Sequence, residues 1–441
     1  MVSGKESSQL FDDFLFPKLF QTFRMSIQPT KLIITSVALA VICLSGWIMD
    51  FSKTVVTTKD TLPQLTELDI YMTDPSQLEL FIEEFKGQDV GVFSTLWHFS
   101  AKKFQGAVDS VFALDVPGVV QNIADYLKAI GWALRYHFVY CIIFFIIKLA
   151  VISIAGGAIC RIAALQFARG EKPGLTEALR YSIKRFASFF TAPLAPIGII
   201  FFIGLFVFLL GLAGNIPRAG ELIIGLSMPM VLFAGSLLAV IVIGAVAGLN
   251  LMFPAVAYDG SDSFDAISRS FSYVYAKPWR MAIYTVIAAI YGSICYTFVR
   301  FFAFLSLWIT RWLLQLGLWA DNGSKEVNKL VAIWPKPEFR YLLGSSNTLT
   351  TNWTESVAAF LVYLFLLVVV GLVVSFIISF YFSANTIIYS LMRKTVDKAA
   401  FEDIYMQFDE AEVEPTVNEL LPKEEPPSES EPKPDESSSL Q

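Results

Sequence analysis

The sequence is poor in charge. Only 16% of its 441 residues are Asp, Glu, Lys or Arg, against 55% that are hydrophobic. A soluble domain is about a quarter charged, so the composition excludes an ordinary water-soluble fold and points to one solvated by lipid. Histidine is scarcer still, with His98 and His137 far apart in the chain. No HExxH, Walker loop, GxSxG or Gly-rich dinucleotide fingerprint occurs. The four cysteines, Cys43, Cys141, Cys160 and Cys295, lie inside or at the ends of apolar runs without CxxC or zinc-finger spacing. They read as small apolar helix residues. The expectation is a non-enzyme with no catalytic, metal or cofactor-binding residues.

Acidity is confined to one end. The segment from Arg393 to Gln441 holds 14 acids against 5 bases, so the net charge of −6 hides a slightly basic body. Pro415–Gln441 is rich in Pro, Glu and Ser and lacks aromatics, a composition that favours disorder.

What the chain has in quantity is apolar runs. About 20 apolar residues cross a bilayer core, and six stretches reach that length: Leu32–Met49, Tyr136–Cys160, Pro193–Gly214, Leu222–Leu249, Met281–Val299 and Val357–Phe382. The expected fold is an all-α integral membrane protein with about six transmembrane helices, interfacial amphipathic helices and a small helical extracytoplasmic cap. Its organisation reads as a cytoplasmic amphipathic segment (1–31), a retained anchor (32–49), the cap (50–132), a five-span bundle (133–398) and an acidic tail (399–441). Lys18, Arg24 and Lys31, the basic run 161–188, and Arg393, Lys394 and Lys398 fall on one side of six spans. The positive-inside rule makes that side the cytoplasm, with both termini inside. Lys102, Lys103 and Lys128 dissent, in a long segment where the rule loses force.

In the cap, Asp74-Pro75-Ser76-Gln77 has the form of a capping box with Pro at the first helical position. Leu78, Phe81, Ile82 and Phe85 share a helical face, and Phe93, Leu96, Trp97, Phe104, Val108 and Val111 form a second stripe. Pro117 starts a helix expected to run on into the second span. Trp312, Trp319, Trp334 and Trp353 suit an interfacial belt, and Asn322-Gly323-Ser324 and Asn352-Trp353-Thr354 match glycosylation acceptors. At the N-terminus, Leu10, Phe11, Phe14, Leu15, Leu19, Phe20 and Phe23 suggest a surface helix bent at Pro17.

Two segments repeat. Glu177-Ala178-Leu179-Arg180-Tyr181-Ser182-Ile183 matches Asp265-Ala266-Ile267-Ser268-Arg269-Ser270-Phe271 in its acid, Ala, branched aliphatic, Ser and final apolar residue. Each follows an inward span and a glycine, Gly170 or Gly260. They read as elbows (161–190 and 258–280) at the bends of two parallel helical hairpins. The sequence GGAICRIAALQFARGEK, then EALRYSIKRF, with the later PAVAYDGSDSFDAISRSF, resembles a broad group of bacterial multi-pass membrane proteins. That group includes the membrane domain of certain glycerophosphodiester phosphodiesterases. The resemblance spans 136–398 and implies a bacterial inner-membrane protein. The group has no known catalytic set in its membrane part, and with no appended phosphodiesterase domain no activity is implied.

Lys148 lies about 18 Å from either end of its span at 1.5 Å per residue. A charge at that depth is either functional or held by carbonyls and hydroxyls between helices. Gly244 and Gly248 form GxxxG, and Gly371, Ser375, Ser379 and Ser383 form a small-residue ladder. Both suit close helix packing, within the bundle or against a second copy. Arg161, Arg169, Lys172, Arg180, Lys184 and Arg185 sit between two spans, so lipid headgroups and not nucleic acid are their expected partners. Asn250, Asn385 and Tyr389 could line a shallow polar cavity or be ordinary interfacial residues. The expected role is a scaffold or accessory subunit of a membrane assembly, with membrane lipids, a protein partner or a second copy as partners. The alternative is a transporter or lipid-handling protein with a cavity between the two hairpins. A lipid-directed enzyme using cap carboxylates comes third.

Overall fold

The computed structural model describes residues 15–58, 65–87, 89–317, 329–344 and 353–406. A 3-10 turn (Phe16–Phe20) leads into helix α1 (Gln21–Ser26) and the first span, α2 (Pro29–Met49). The cap follows with strand β1 (Val55–Val56), α3 (Glu67–Thr73), α4 (Leu78–Glu84), β2 (Asp89–Val90), α5 (Val92–Phe112) and α6 (Val116–Tyr136). The bundle comprises α7 (Phe138–Arg169), α8 (Leu175–Lys184), α9 (Phe186–Ala213), α10 (Gly220–Asp259), α11 (Ser263–Ala276) and α12 (Pro278–Gly317). It closes with the short α13 (Lys329–Ile333) and α14 (Trp353–Val396). Six of these helices are long and apolar enough to cross a membrane: this is an all-α, multi-pass membrane protein. One compact unit runs from Met1 to Ile404, and a second, Tyr405–Gln441, begins after it.

The spans extend beyond the apolar runs that mark them. At 1.5 Å per residue the 44 residues of α14 reach about 66 Å, twice the ~30 Å hydrocarbon core. The surplus is explained by where the core lies. Residues 155–165 of α7, 251–258 of α10 and 382–392 of α14 are all buried. These three C-terminal halves meet at one end of the bundle, the elbow end. The other halves separate. Between 197 and 249 only Gly220, Ala234, Gly244 and Gly248 are buried.

Gly170 (φ 75°) and Gly260 (φ 60°) end α7 and α10 in the left-handed conformation that glycine adopts without strain. The two elbow helices then fold back on the spans that precede them. Ser182 Oγ donates to the carbonyls of Ile154 (2.7 Å) and Ser153 (3.1 Å), opposite Gly157, which has no Cβ to obstruct it. In the second hairpin Ser270 and Phe271 lie on Gly248 and Gly244. The repeated serine therefore marks the face each elbow turns to its span, and the GxxxG pair seats an elbow helix of its own chain. A methyl on Gly157 would stand 2.5 Å from Ser182 Oγ and 2.7 Å from the Phe189 ring. Gly157→Ala should cost about 1–3 kcal/mol, read as an earlier midpoint in SDS titration. An unmoved midpoint would show that α8 is not seated there.

Several expectations need correcting. The first elbow starts later than expected, because 161–169 continues α7, with 161–165 buried and Arg169 exposed at its end. The N-terminal segment is not a surface helix: Leu19, Thr22, Met25 and Ser26 are buried beneath the bundle, although Phe20 is exposed. Leu10, Phe11 and Phe14 lie outside the described residues. The tail begins later than 399, since Phe401 and Ile404 are buried and the Phe401 ring meets Lys18 Nζ at 3.8 Å and Lys394 Nζ at 4.2 Å. Residues 407–441 lie outside the described residues.

The small-residue ladder packs against the N-terminal segment. Ser375 Oγ meets Ser36 Oγ at 3.0 Å, Ser379 Oγ donates to the Ser26 carbonyl at 2.9 Å, and Ser383 Oγ stands 3.3 Å from Lys31 Nζ. Gly371 does not join them; the space where its Cβ would point is open.

At the opposite end Asp50 organises the cap. Its carboxylate accepts from the amides of Phe93 (2.8 Å) and Ser94 (2.9 Å), capping α5, and from Ser94 Oγ and Tyr140 OH. Gly91 admits it, because a Cβ there would collide with the carboxylate. Asp50→Ala removes a helix cap joined to two spans and should cost about 1–2 kcal/mol. Faster amide exchange at 92–96, with the elbow end unchanged, is the expected readout. The capping box lies at Thr66 and Asp69, not at Asp74, which caps only the 3-10 turn Pro75–Gln77. α6 does not run into the second span; the chain breaks at His137.

Trp334 is buried with Leu307, Leu330, Leu342 and Val108 in a core that joins the cap to α12 and α14, so it is not a belt residue. Trp312 and Trp353 are exposed. Trp319, Asn322 and Asn352 lie outside the described residues. Arg300 fastens this region, donating to the carbonyls of Phe339 (2.9 Å) and Arg340 (2.7 Å) and to Tyr296 OH (2.8 Å).

Candidate functional site

The polar residues of the elbow end fall into three groups. The first joins the two hairpins. Arg161 is buried, donates through Nη1 to the Ala257 carbonyl at 3.1 Å and lies 4.5 Å over the Tyr181 ring. Tyr181 OH donates to the Val256 carbonyl at 2.8 Å. The last carbonyls of a helix lack partners within it and carry the negative end of its dipole. A guanidinium and a phenol from the first hairpin thus cap the last turn of α10 in the second. Arg161 is no headgroup ligand: it is spent inside the protein.

The second group is centred on Asp259. Its carboxylate accepts from Arg393 Nε (3.1 Å), Arg269 Nη1 (3.2 Å) and Tyr389 OH. Arg269 also binds Asp265 (3.0 Å), and Arg393 reaches the Asp403 carbonyl (2.7 Å). Tyr273 OH donates to Asp397 at 2.5 Å. One buried carboxylate therefore ties α10, α11, α14 and the segment after α14 together. Tyr389 belongs to this network. Asn250 accepts from Tyr381 OH, and Asn385 donates to the Tyr381 carbonyl. All three residues make bonds inside the protein.

The third group is a lysine with no acid beside it. Lys31 is fully buried between α2, α7 and α14, and among the described residues its ammonium meets Gln166 Oε1 (3.4 Å) and Ser383 Oγ (3.3 Å) and no acid. An ammonium offers three donors, and both of its acceptors are neutral and distant. Sequence reasoning missed it, because a lysine at the start of a span reads as a charge reaching for water. Lys148, singled out instead, is half-buried and forms no hydrogen bond or ion pair with a described residue.

Of the remaining basic candidates, Arg169, Lys172, Arg180 and Lys184 are exposed and Arg185 is half-buried. Arg169 stands 3.9 Å from Glu171. In the cap, buried Glu67 accepts from Trp132 Nε1 (3.3 Å) and the Val56 amide (3.4 Å), with His137 Nε2 at 3.9 Å. Burial raises the Glu67 pKa and lowers that of His137, so both are driven toward their neutral forms. Among the described residues no three His, Cys, Asp or Glu side chains are grouped as metal ligands.

No family model, curated protein or solved structure matches the chain. The functional reading therefore rests on its own residues. The polar groups of highest burial cap helices, join hairpins or fasten loops, and Lys31 and Lys148 remain as charges without an acidic partner among the described residues.

Proposed function

We propose that this chain is a non-enzymatic scaffold or accessory subunit of a membrane assembly. In this reading it resides in a bacterial inner membrane, with both termini cytoplasmic and the cap outside, and is kin to the group its elbow motifs resemble. The α9–α10 hairpin carries the argument. Beyond the polar turn at Asn215, Arg218 and Glu221, the helices of its outer half are predominantly apolar and almost nowhere buried. Gly198, Gly204, Gly211, Gly225 and Gly235 have open space where a Cβ would stand, and small residues let a neighbouring helix approach closely. Purification from native membranes in mild detergent, after photo-crosslinking from Phe202, should retain a stoichiometric membrane protein joined to this hairpin. A partner-free preparation that by itself moves or alters a substrate would overturn the reading.

Lys148 favours a second reading, transport or lipid handling. The two hairpins are in direct contact at their elbow ends, through Ala192, Met252 and Ile267, so a substrate path would have to use the separated halves nearer the cap. Lys148→Met should then abolish flux with the fold intact; unchanged flux removes this reading.

A further inference from the structure

We infer that the outward face of α8 is a docking groove for the headgroups of anionic phospholipids, and that α11, its counterpart in the second hairpin, is not. α8 has two faces of different use. Ala178, Tyr181 and Ser182 are buried against the bundle. On the other side, Leu175, Leu179 and Ile183 recur at four-residue spacing beside Arg180 and Lys184, also four apart. With Thr176 these residues line a shallow groove of about 530 Å³. No acid is among them. Glu177, the acid of this helix, turns back to the Gly174 amide at 3.3 Å. Arg180 is exposed and has no hydrogen bond or ion pair with a described residue.

Position fixes the partner. α8 joins the C-terminus of one span to the N-terminus of the next, which holds its groove where a span leaves the hydrocarbon. A ligand there must present negative charge to two cations and acyl chain to a leucine-isoleucine stripe. A phospholipid with a net negative headgroup does both, and a zwitterionic one supplies no net charge. α11 lacks the first half of this chemistry. Its sole cation, Arg269, is held by Asp259 and Asp265, leaving exposed Phe264 as an apolar anchor. The repeat has thus divided its labour: one elbow meets lipid charge, the other ties the bundle. This inference holds whether the protein is a scaffold or a transporter.

Full-length protein reconstituted in nanodiscs of mixed phosphatidylglycerol and phosphatidylcholine, then released and weighed by native mass spectrometry, tests it. The wild type should retain phosphatidylglycerol in preference. Arg180→Gln with Lys184→Gln should weaken that preference about 30-fold, two cations at ~1 kcal/mol each. Arg180→Lys with Lys184→Arg should restore it, and Lys277→Gln, at the other elbow, should leave it unchanged. Should the double variant fail to keep the wild-type SDS midpoint, Arg180→Gln alone provides the test, with a loss of about 5-fold. Equal retention in wild type and variants, or parallel loss of both lipids, would overturn the inference.

Discussion

Asp259→Ala is expected to cost about 3–5 kcal/mol, the range for removing one partner of a buried ion pair. The carboxylate lies at the C-terminal end of α10, where the helix dipole disfavours an acid, and two arginines hold it there. Without it, Arg269 keeps Asp265 at 3.0 Å, but Arg393 keeps no acid among the described residues, only the backbone carbonyls of Asp403 (2.7 Å) and Ala400 (3.3 Å) and the Tyr258 ring at 5.3 Å. Tyr389 also loses its acceptor. Damage should concentrate on the contacts of Arg393, so amide protection at 397–404 should fall well before that of the cap. SDS titration reads the total cost and hydrogen exchange its location. Adding Arg393→Met should recover part of the loss, because removing both charges leaves neither stranded in the protein. Uniform loss of protection across cap and elbow alike would refute this account, as would a midpoint equal to wild type.

The six spans were legible because each carries a sustained apolar run, and lipid solvation demands one. Their true lengths were not. Arg161 opens what reads as basic amphipathic sequence at a membrane surface, yet α10 and α14 cover residues 161–165 and make them core. Burial at the elbow end depends on which helices converge there, and no local pattern records that. The same limit exchanged the two lysines: Lys148 looked deep because its neighbours are apolar, and Lys31 looked peripheral because it opens a span. The serine ladder announced close packing but not its partner, the N-terminal segment more than 330 residues away. Asp50 and Asp259 gave no sign at all. Each stands at the C-terminal end of a span, and the groups they bind come from other elements. The repeat was the most informative feature, since its aligned serines proved to be the faces on which both elbows rest.

Replacing Lys31 by Met should raise stability by about 1–4 kcal/mol, the reverse of the Asp259 result. The reason lies in what surrounds the charge. Burial strips the ammonium of water, and two neutral oxygens at 3.3 and 3.4 Å replace only part of that hydration. Methionine fills a similar volume with no charge to solvate, and Gln166 and Ser383, which act as acceptors for Lys31, keep their own N–H and O–H donors. A later SDS midpoint for Lys31→Met would show that the lysine works against the fold. Its presence would then need a reason outside stability, and loss of the retained partner or of flux in the same variant would supply one. A later midpoint with partner and flux intact would make Lys31 a tolerated charge. An earlier midpoint would mean that the seam between α2, α7 and α14 depends on the ammonium. In that case the serine ladder and Gln166 act as its solvent, and their removal should lower stability in turn.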